Sequence, residues 1–533
     1  MASGVLLCAL CCSRCLAAAQ HQHIEGSDAE QLGAVSFPTS CSPGVQASFE
    51  RAVALLHSFE YNNADKRFKE IEQKDPGCAM AYWGDAMTFY HQLWDRPSKS
   101  AMEAGSHAIQ KAQAIEGKTD RERGYIEATA EFFRNDERKT FETRAAVYSQ
   151  ALDKLHNRYP DDHEAAIFYA LSLIASPQAS DNDFAYRKKA VAVLNALLAS
   201  EPNHPGIAHY IIHACDNPEM AKQGLAAARR YAQIAPASPH ALHMPSHIFA
   251  RLGLWQDDIQ SNLASKAAAE KQSQTPSRLH AMDFLDYAYL QTGQDEKARA
   301  VEKEALSVRK QDFEAEMTPF FYHVQVHFPA LLTLETRAWK DAEALQPPAD
   351  AAPDFQAVTY WAQAVAAGHL KNLSEAQSAV EKYDAALEAV KKSTYAYVAD
   401  EMATSHDEAH AWLALAQGNG PEGVRLLTHV AEEQDKVGKG EVELPAREML
   451  ADMLLQLNRP EEALAQYTLS LKTDPNRFNS LYGAARAAEL CHQLDVAKSY
   501  YMLLLTNCND GAGSDRPELT HAKEQLRLGL SAG

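Results

Sequence analysis

Two pairs of histidines carry the strongest chemical signal in this chain. His209 and His213 stand four residues apart, and His243 and His247 repeat the pair 34 residues later. Positions i and i+4 of a helix lie one above the other on a single face. Two imidazoles placed that way are a metal-chelating arrangement, as in helices that present both rings to one zinc ion. No Glu lies between the histidines of either pair, so a zinc protease is not implied. The competing reading is that these are packed or solvated side chains, since the chain holds 22 histidines.

The elements that must position these residues can be read from turn signals. With Gly253 and Gly293 taken as the turns that close two helical hairpins, three successive inner helices present polar stripes. The first carries His209, His213 and Asp216, the second His240, His243 and His247, the third His280, Asp283 and Tyr287. Neighbouring packed helices lie about 8–10 Å apart, so imidazoles from adjacent axes can reach one ion. His209, His213, His243, His247 and Asp283 are the candidate metal ligands, and His240, Asp216, His280 and Tyr287 are expected to line the same groove. Asp216 and Asp283 could equally be acceptors that fix a histidine tautomer. Tyr287 could be a ligand, an acid or a wall. Imidazole with carboxylate suits zinc, copper or iron better than calcium or magnesium. No general base stands out, so no catalytic residue is assigned.

Pro245 sits between His243 and His247. Ser238 and Pro239 would cap and start a helix in the ordinary way. Pro245 then either kinks that helix or is itself the start, in which case His240 and His243 lie in a loop.

A repeat frame surrounds this region. Tyr61, Ala64, Phe68, Ile71 and Pro76 follow a spacing of 3, 4, 3 and 5, and Ala463, Tyr467, Ser470 and Pro475 return to it, followed by Leu481, Ala485, Ala488, Ala497 and Tyr501. In this pattern the chain resembles the tetratricopeptide repeat superfamily. The resemblance implies an all-α solenoid, a right-handed superhelix of roughly twelve helical hairpins. The segment His209 to Asn262, with the blocks Cys78–Gly84 and Pro475–Asn479, resembles exported bacterial tetratricopeptide proteins of unassigned function. That likeness implies fold and export and brings no activity with it. The expected organisation is a signal at 1–19, an extension at 20–43, a histidine-rich superhelix at 44–340, a Pro-rich linker at 341–357, further repeats at 358–508, and a loop with a capping helix at 509–533. Alternating strand patterns are absent.

Composition narrows the partners. A formal charge of -20 repels nucleic acid and anionic lipid. No nucleic acid and no membrane span are expected, and a protein or peptide in the concave groove is. Trp83 with Met87, Tyr90 and His91, and Tyr482 with Arg486 and Glu489, would face that groove. Core packing for Trp83 and a solvated face for Tyr482 and Arg486 are the plainer readings. The apolar run Val5–Leu10 and the small residues Ala17–Ala19 read as an export signal, hence a periplasmic or secreted protein. His21 would chelate copper if it became the N-terminus, with His23 nearby. Under export, Cys41 and Cys78 could form a disulfide; otherwise they are two buried thiols.

Overall fold

The computed structural model describes residues 31–93, 96–134, 139–175, 184–313, 317–440 and 442–530. The expected export signal and His21 and His23 fall outside these residues. Every regular element among the described residues is a helix. Sequential helices pack antiparallel in hairpins, and alternate helices pack side by side. Gln46–His57 lies on Ala79–Met87, Thr275–Gln291 on Thr318–Glu335, and Ala446–Gln456 on Phe478–Leu490.

The repeat residues explain the packing. Phe68 lies against Gly84 of the next helix, where any Cβ would overlap the ring, and Tyr467 lies against Gly483 in the same way. An aromatic on one helix and a missing side chain on the next allow a close crossing, at both ends of the array. Gly253 and Gly293 turn with φ +62 and +67, and Asn458 with +57, as expected of hairpin turns. Gly253 is also pressed against the carbonyl of Pro475, so a side chain there would clash as well as strain the backbone.

The array coils until distant repeats touch. Helix Gln46–His57 packs on Pro205–Cys215. The indole of Trp255 donates to the carbonyl of Asn476 at 2.9 Å, and Asn476 donates back to the carbonyl of Gly253 at 3.2 Å. Arg251 donates to the carbonyl of Lys439 at 2.7 Å. The segment read as a linker at 341–357 holds the end of helix Trp339–Glu343 and the start of helix Pro353–Leu370, so its non-helical part is short. Across it, the earlier and later repeats are tied by these direct contacts.

Cys41 and Cys78 form a disulfide that closes a sequence separation of 37. Loop-closure entropy for that length corresponds to about 4 kcal/mol. The Cys41→Ser/Cys78→Ser protein is therefore expected to lose about 2–4 kcal/mol, read as a lowered urea midpoint, with the loss concentrated in the first hairpins.

Candidate metal centre

Helix Pro205–Cys215 carries His209 and His213. The next inner helix begins at Pro239 with the Ser238 hydroxyl accepting from the Ala241 amide at 3.3 Å. It is interrupted at Met244 and resumes as Pro245–Arg251. Met244 keeps helical angles, φ -51 and ψ -33, so the backbone path continues and only the hydrogen bond that Pro245 cannot donate is missing. His240, His243 and His247 therefore all sit on helical turns. His280 comes from helix Thr275–Gln291.

The stripes converge. The Nε2 of His209 lies 3.1 Å from Nε2 of His213 and 3.0 Å from Nε2 of His240. The Nε2 atoms of His243 and His247 are 3.1 Å apart. Ligand-capable atoms of His209, His213 and His240 fall within 4.8 Å of one another, and so do those of His243, His247 and His280. The two sets adjoin, with His213 and His247 ring centres 6.1 Å apart and His240 and His243 6.3 Å apart.

The outer nitrogens show what these contacts are. His209 Nδ1 is 2.7 Å from the carbonyl oxygen of His57, which can only accept. His243 Nδ1 is 2.7 Å from Oδ1 of Asn262. The Asn262 amide nitrogen donates to the Asp258 carbonyl at 3.1 Å and its carboxylate at 2.8 Å, which fixes the oxygen toward the histidine. His247 Nδ1 is 2.9 Å from Oδ2 of Asp216, whose other oxygen takes Arg251 Nε at 2.9 Å. A neutral imidazole has one N–H and one lone pair. His209 and His243, held neutral by burial, use the N–H outward and direct the Nε2 lone pair inward, while His247 is held from outside by the Asp216 carboxylate. His243 and His247 thus face each other Nε2 to Nε2 at 3.1 Å, a contact that takes a shared cation, a proton or a metal ion. Two nitrogens each about 2.0–2.1 Å from one ion span roughly 3 Å at ordinary coordination angles.

Burial favours the neutral form of five of the six rings. Desolvation lowers His209 to about 3, and desolvation with the neighbouring His247 lowers His280 to about 4. Burial and the adjoining imidazoles also push His213, His240 and His243 well down. Phe59 caps one set, with ring centres 4.4 Å from His209 and 5.7 Å from His240, and Phe284 caps the other at 4.7 Å from His243. Phe59 holds φ +56, a costly conformation for an aromatic residue, at the turn that brings its ring here.

Several participants were not foreseen. Glu164 accepts from both His57 Nε2 at 2.9 Å and His204 Nε2 at 2.8 Å, fully buried behind His209. Burial alone would raise Glu164, but His204 and His57 outweigh it and hold it below the usual carboxylate range. This triad anchors His57, whose carbonyl sets the His209 tautomer. Asn262 was likewise missed. Their signals were weak: isolated residues far apart in sequence, joined only by the coil of the array.

Other expected groove residues lie elsewhere. Asp283 is directed to His323 and His327 rather than to the six-imidazole cluster. Tyr287 is buried against Arg477 and donates to the carbonyl of Glu443 at 3.1 Å, so it is no groove wall. Trp83 is core, its indole donating to Thr129 at 3.0 Å, and Met87 and Tyr90 are buried beside it. Arg486 pairs with Glu489 at 2.6 Å, and Tyr482 faces His521 of the last helix at 3.3 Å. That helix, Pro517–Leu530, packs mainly on Leu494–Asn507.

Aromatic-on-small crossings, glycine or asparagine turns and stacked hairpins decide the architecture. The chain is a tetratricopeptide-like solenoid. It is similar to a tetratricopeptide repeat protein from Parabacteroides merdae at 16% identity, covering 55% of this chain and 98% of that one, with a TM-score of 0.29. It is similar to the human IFIT1 dimer with m7Gppp-AAAA at 14% identity, covering 89% and 95%, TM-score 0.37. It is also similar to the APC/C hetero-tetramer Cut9–Hcn1 at 12% identity, covering 91% and 96%, TM-score 0.32. No family model and no curated protein matches the sequence. Likenesses this distant say nothing about the histidine cluster, whose chemistry rests on its own geometry. No helix among the described residues is long and apolar enough to cross a membrane.

Proposed function

We propose that this solenoid is a transition-metal protein, with copper or zinc held by His209, His213 and His240 in one set and His243, His247 and His280 in the adjoining one. The observation that carries this reading is the convergence of Nε2 atoms, His209 lying 3.0 Å from His240 and 3.1 Å from His213 and His243 lying 3.1 Å from His247, with the outer nitrogens of His209, His243 and His247 already committed. Six imidazoles and no carboxylate favour copper, then zinc, over iron, manganese or magnesium. An ion there would act as a Lewis acid or, for copper, a one-electron centre. The chain's own residues fix tautomers through Asp216, Asn262 and the His57 carbonyl, and exclude water with Phe59 and Phe284.

The solenoid architecture also suits a protein-binding scaffold. Of the residues first assigned to a peptide groove, Trp83 is core and Arg486 is paired with Glu489, so the metal reading rests on the more specific observation. Export to an oxidising compartment is part of the proposal, and the Cys41–Cys78 disulfide supports it.

The test is elemental analysis of the untagged full chain. Two equivalents of copper or zinc per chain are expected at the six imidazoles. Stripping with chelator and restoring the ion at about a thousand times its Kd should return about 4 kcal/mol of stability per refilled site by mass action. A protein that takes up neither ion, with a melting curve indifferent to both, overturns the reading.

A further inference from the structure

We propose that Asp283, His323 and His327 form a separate divalent-cation site, two imidazoles and one carboxylate, which takes a first-row ion such as ferrous iron or zinc. The site stands on its own residues and does not depend on the six-imidazole reading.

Asp283 comes from helix Thr275–Gln291, and both histidines come from helix Thr318–Glu335, one turn apart. Their rings stack with centres 4.8 Å apart and planes 16° from parallel, so both edges face the same way. His327 Nε2 lies 3.2 Å from Asp283 Oδ1, and His323 Nε2 lies 3.8 Å from Asp283 Oδ2. The ligand-capable atoms of all three lie within 4.8 Å of one another.

The orientation of these groups points to a third body. His327 Nε2 and Asp283 Oδ1 are both buried, and neither makes a hydrogen bond despite their proximity. They are close enough for one but misaligned, as two ligands of a common ion are. A second trio of the same composition, Asp384 with His406 and His410, shows the contrast. There His410 Nε2 hydrogen-bonds Asp384 at 3.1 Å, His406 Nδ1 meets Asp407 at 3.1 Å, and Asp384 is 45% exposed. That trio is an ordinary surface ion-pair group, whereas the Asp283 trio leaves its inner atoms unsatisfied. Two imidazoles and one carboxylate occupy only part of a coordination sphere. His323 is 37% exposed, so the remaining positions face solvent and leave room for water or a small anionic ligand.

The other charged groups nearby do not replace the ion. Glu443 acts on His327 only at longer range, and burial together with Asp283 pushes Asp286, one turn away, toward its neutral form, so it supplies no counter-cation. Two imidazoles and one carboxylate thus face one position, a donor set suited to a divalent cation.

The probe is cobalt(II), added to the chelator-stripped full chain and followed by equilibrium dialysis and visible absorption. His327→Ala is expected to lower the cobalt stoichiometry by one equivalent while the remaining equivalents stay bound. His243→Ala/His247→Ala is expected to retain the His327-dependent equivalent and its absorption band. Asp283→Asn should reproduce the His327→Ala result, and far-UV circular dichroism of each variant separates loss of a ligand from loss of fold. If both His327→Ala and Asp283→Asn fold and bind as much cobalt as the parent, the site does not exist. If His243→Ala/His247→Ala abolishes all binding, there is one centre only and the proposal also fails. Should the single bound ion vanish in His327→Ala and persist in His243→Ala/His247→Ala, the six-imidazole reading fails and this site stands.

Discussion

Replacing His243 and His247 together with alanine is expected to cost the protein one of its two copper or zinc equivalents outright, while the ion at His209, His213 and His240 remains. The two rings supply two of the three imidazoles of their set and only His280 would be left, so no chelate survives. The outer residues should give a smaller, graded effect. Asp216→Asn keeps the volume but exchanges a charged acceptor for an amide. Loss of such an outer partner typically weakens metal affinity 10–100-fold, with stoichiometry unchanged at saturating ion. Asp216 also holds Arg251, so Arg251→Met should fall on the same scale without touching a ligand. Competition against a chromophoric chelator reads both. Equal affinity in Asp216→Asn and parent protein would mean that His247 is not held from outside.

The position of these histidines was legible because a repeat converts sequence period into spatial alignment. An i,i+4 pair that recurs after 34 residues reappears on the next inner helix, at the same height. That logic placed His209, His213, His240, His243, His247 and His280 together, and the groove register survived Pro245 because Met244 stays helical. The same logic failed for Asp283 and Tyr287. Helix Thr275–Gln291 is buried nearly all round, so it has no single groove face, and its stripe drifts from the cluster toward His323 and then toward the repeats around Arg477. The His323/His327 pair was itself visible as an i,i+4 motif, but it does not fall on the 34-residue period that drew attention to the others. What periodicity cannot supply is contact between repeats distant in sequence. His57, Glu164 and His204 meet only because the coil brings the first helix onto the one carrying His209. Tyr482 and Arg486 remain half-buried, Arg486 paired with Glu489 and Tyr482 near His521 of the capping helix that the sequence placed at the end of the array.

The same coil gives Arg477 its weight, and Arg477→Met is expected to destabilise the protein by about 3–5 kcal/mol. Arg477 is fully buried where the later repeats meet the earlier ones. It donates through Nε and Nη2 to both oxygens of Glu448, at 3.0 and 2.8 Å, and through Nη2 to Glu335 at 2.8 Å. Tyr287 completes its shell, Asn479 supports Glu335 at 3.1 Å, and Ser480 donates to Glu448. Both carboxylates are buried too. Methionine restores most of the volume, so packing accounts for little of the expected loss. The cost is that two carboxylates are stranded without their cation, and they would have to be protonated or hydrated. Lysine should not rescue, because one ammonium cannot reproduce a planar fork bonded to two acids. The decisive comparison is the triple variant Arg477→Met/Glu335→Gln/Glu448→Gln. If stranded charge is the cause, neutralising both acids returns most of the lost urea midpoint although three native groups are now missing. If the triple variant is weaker than Arg477→Met alone, the network contributes through its hydrogen-bond geometry rather than its charge. A midpoint unchanged in Arg477→Met would mean that this junction does not hold the later repeats against the earlier ones.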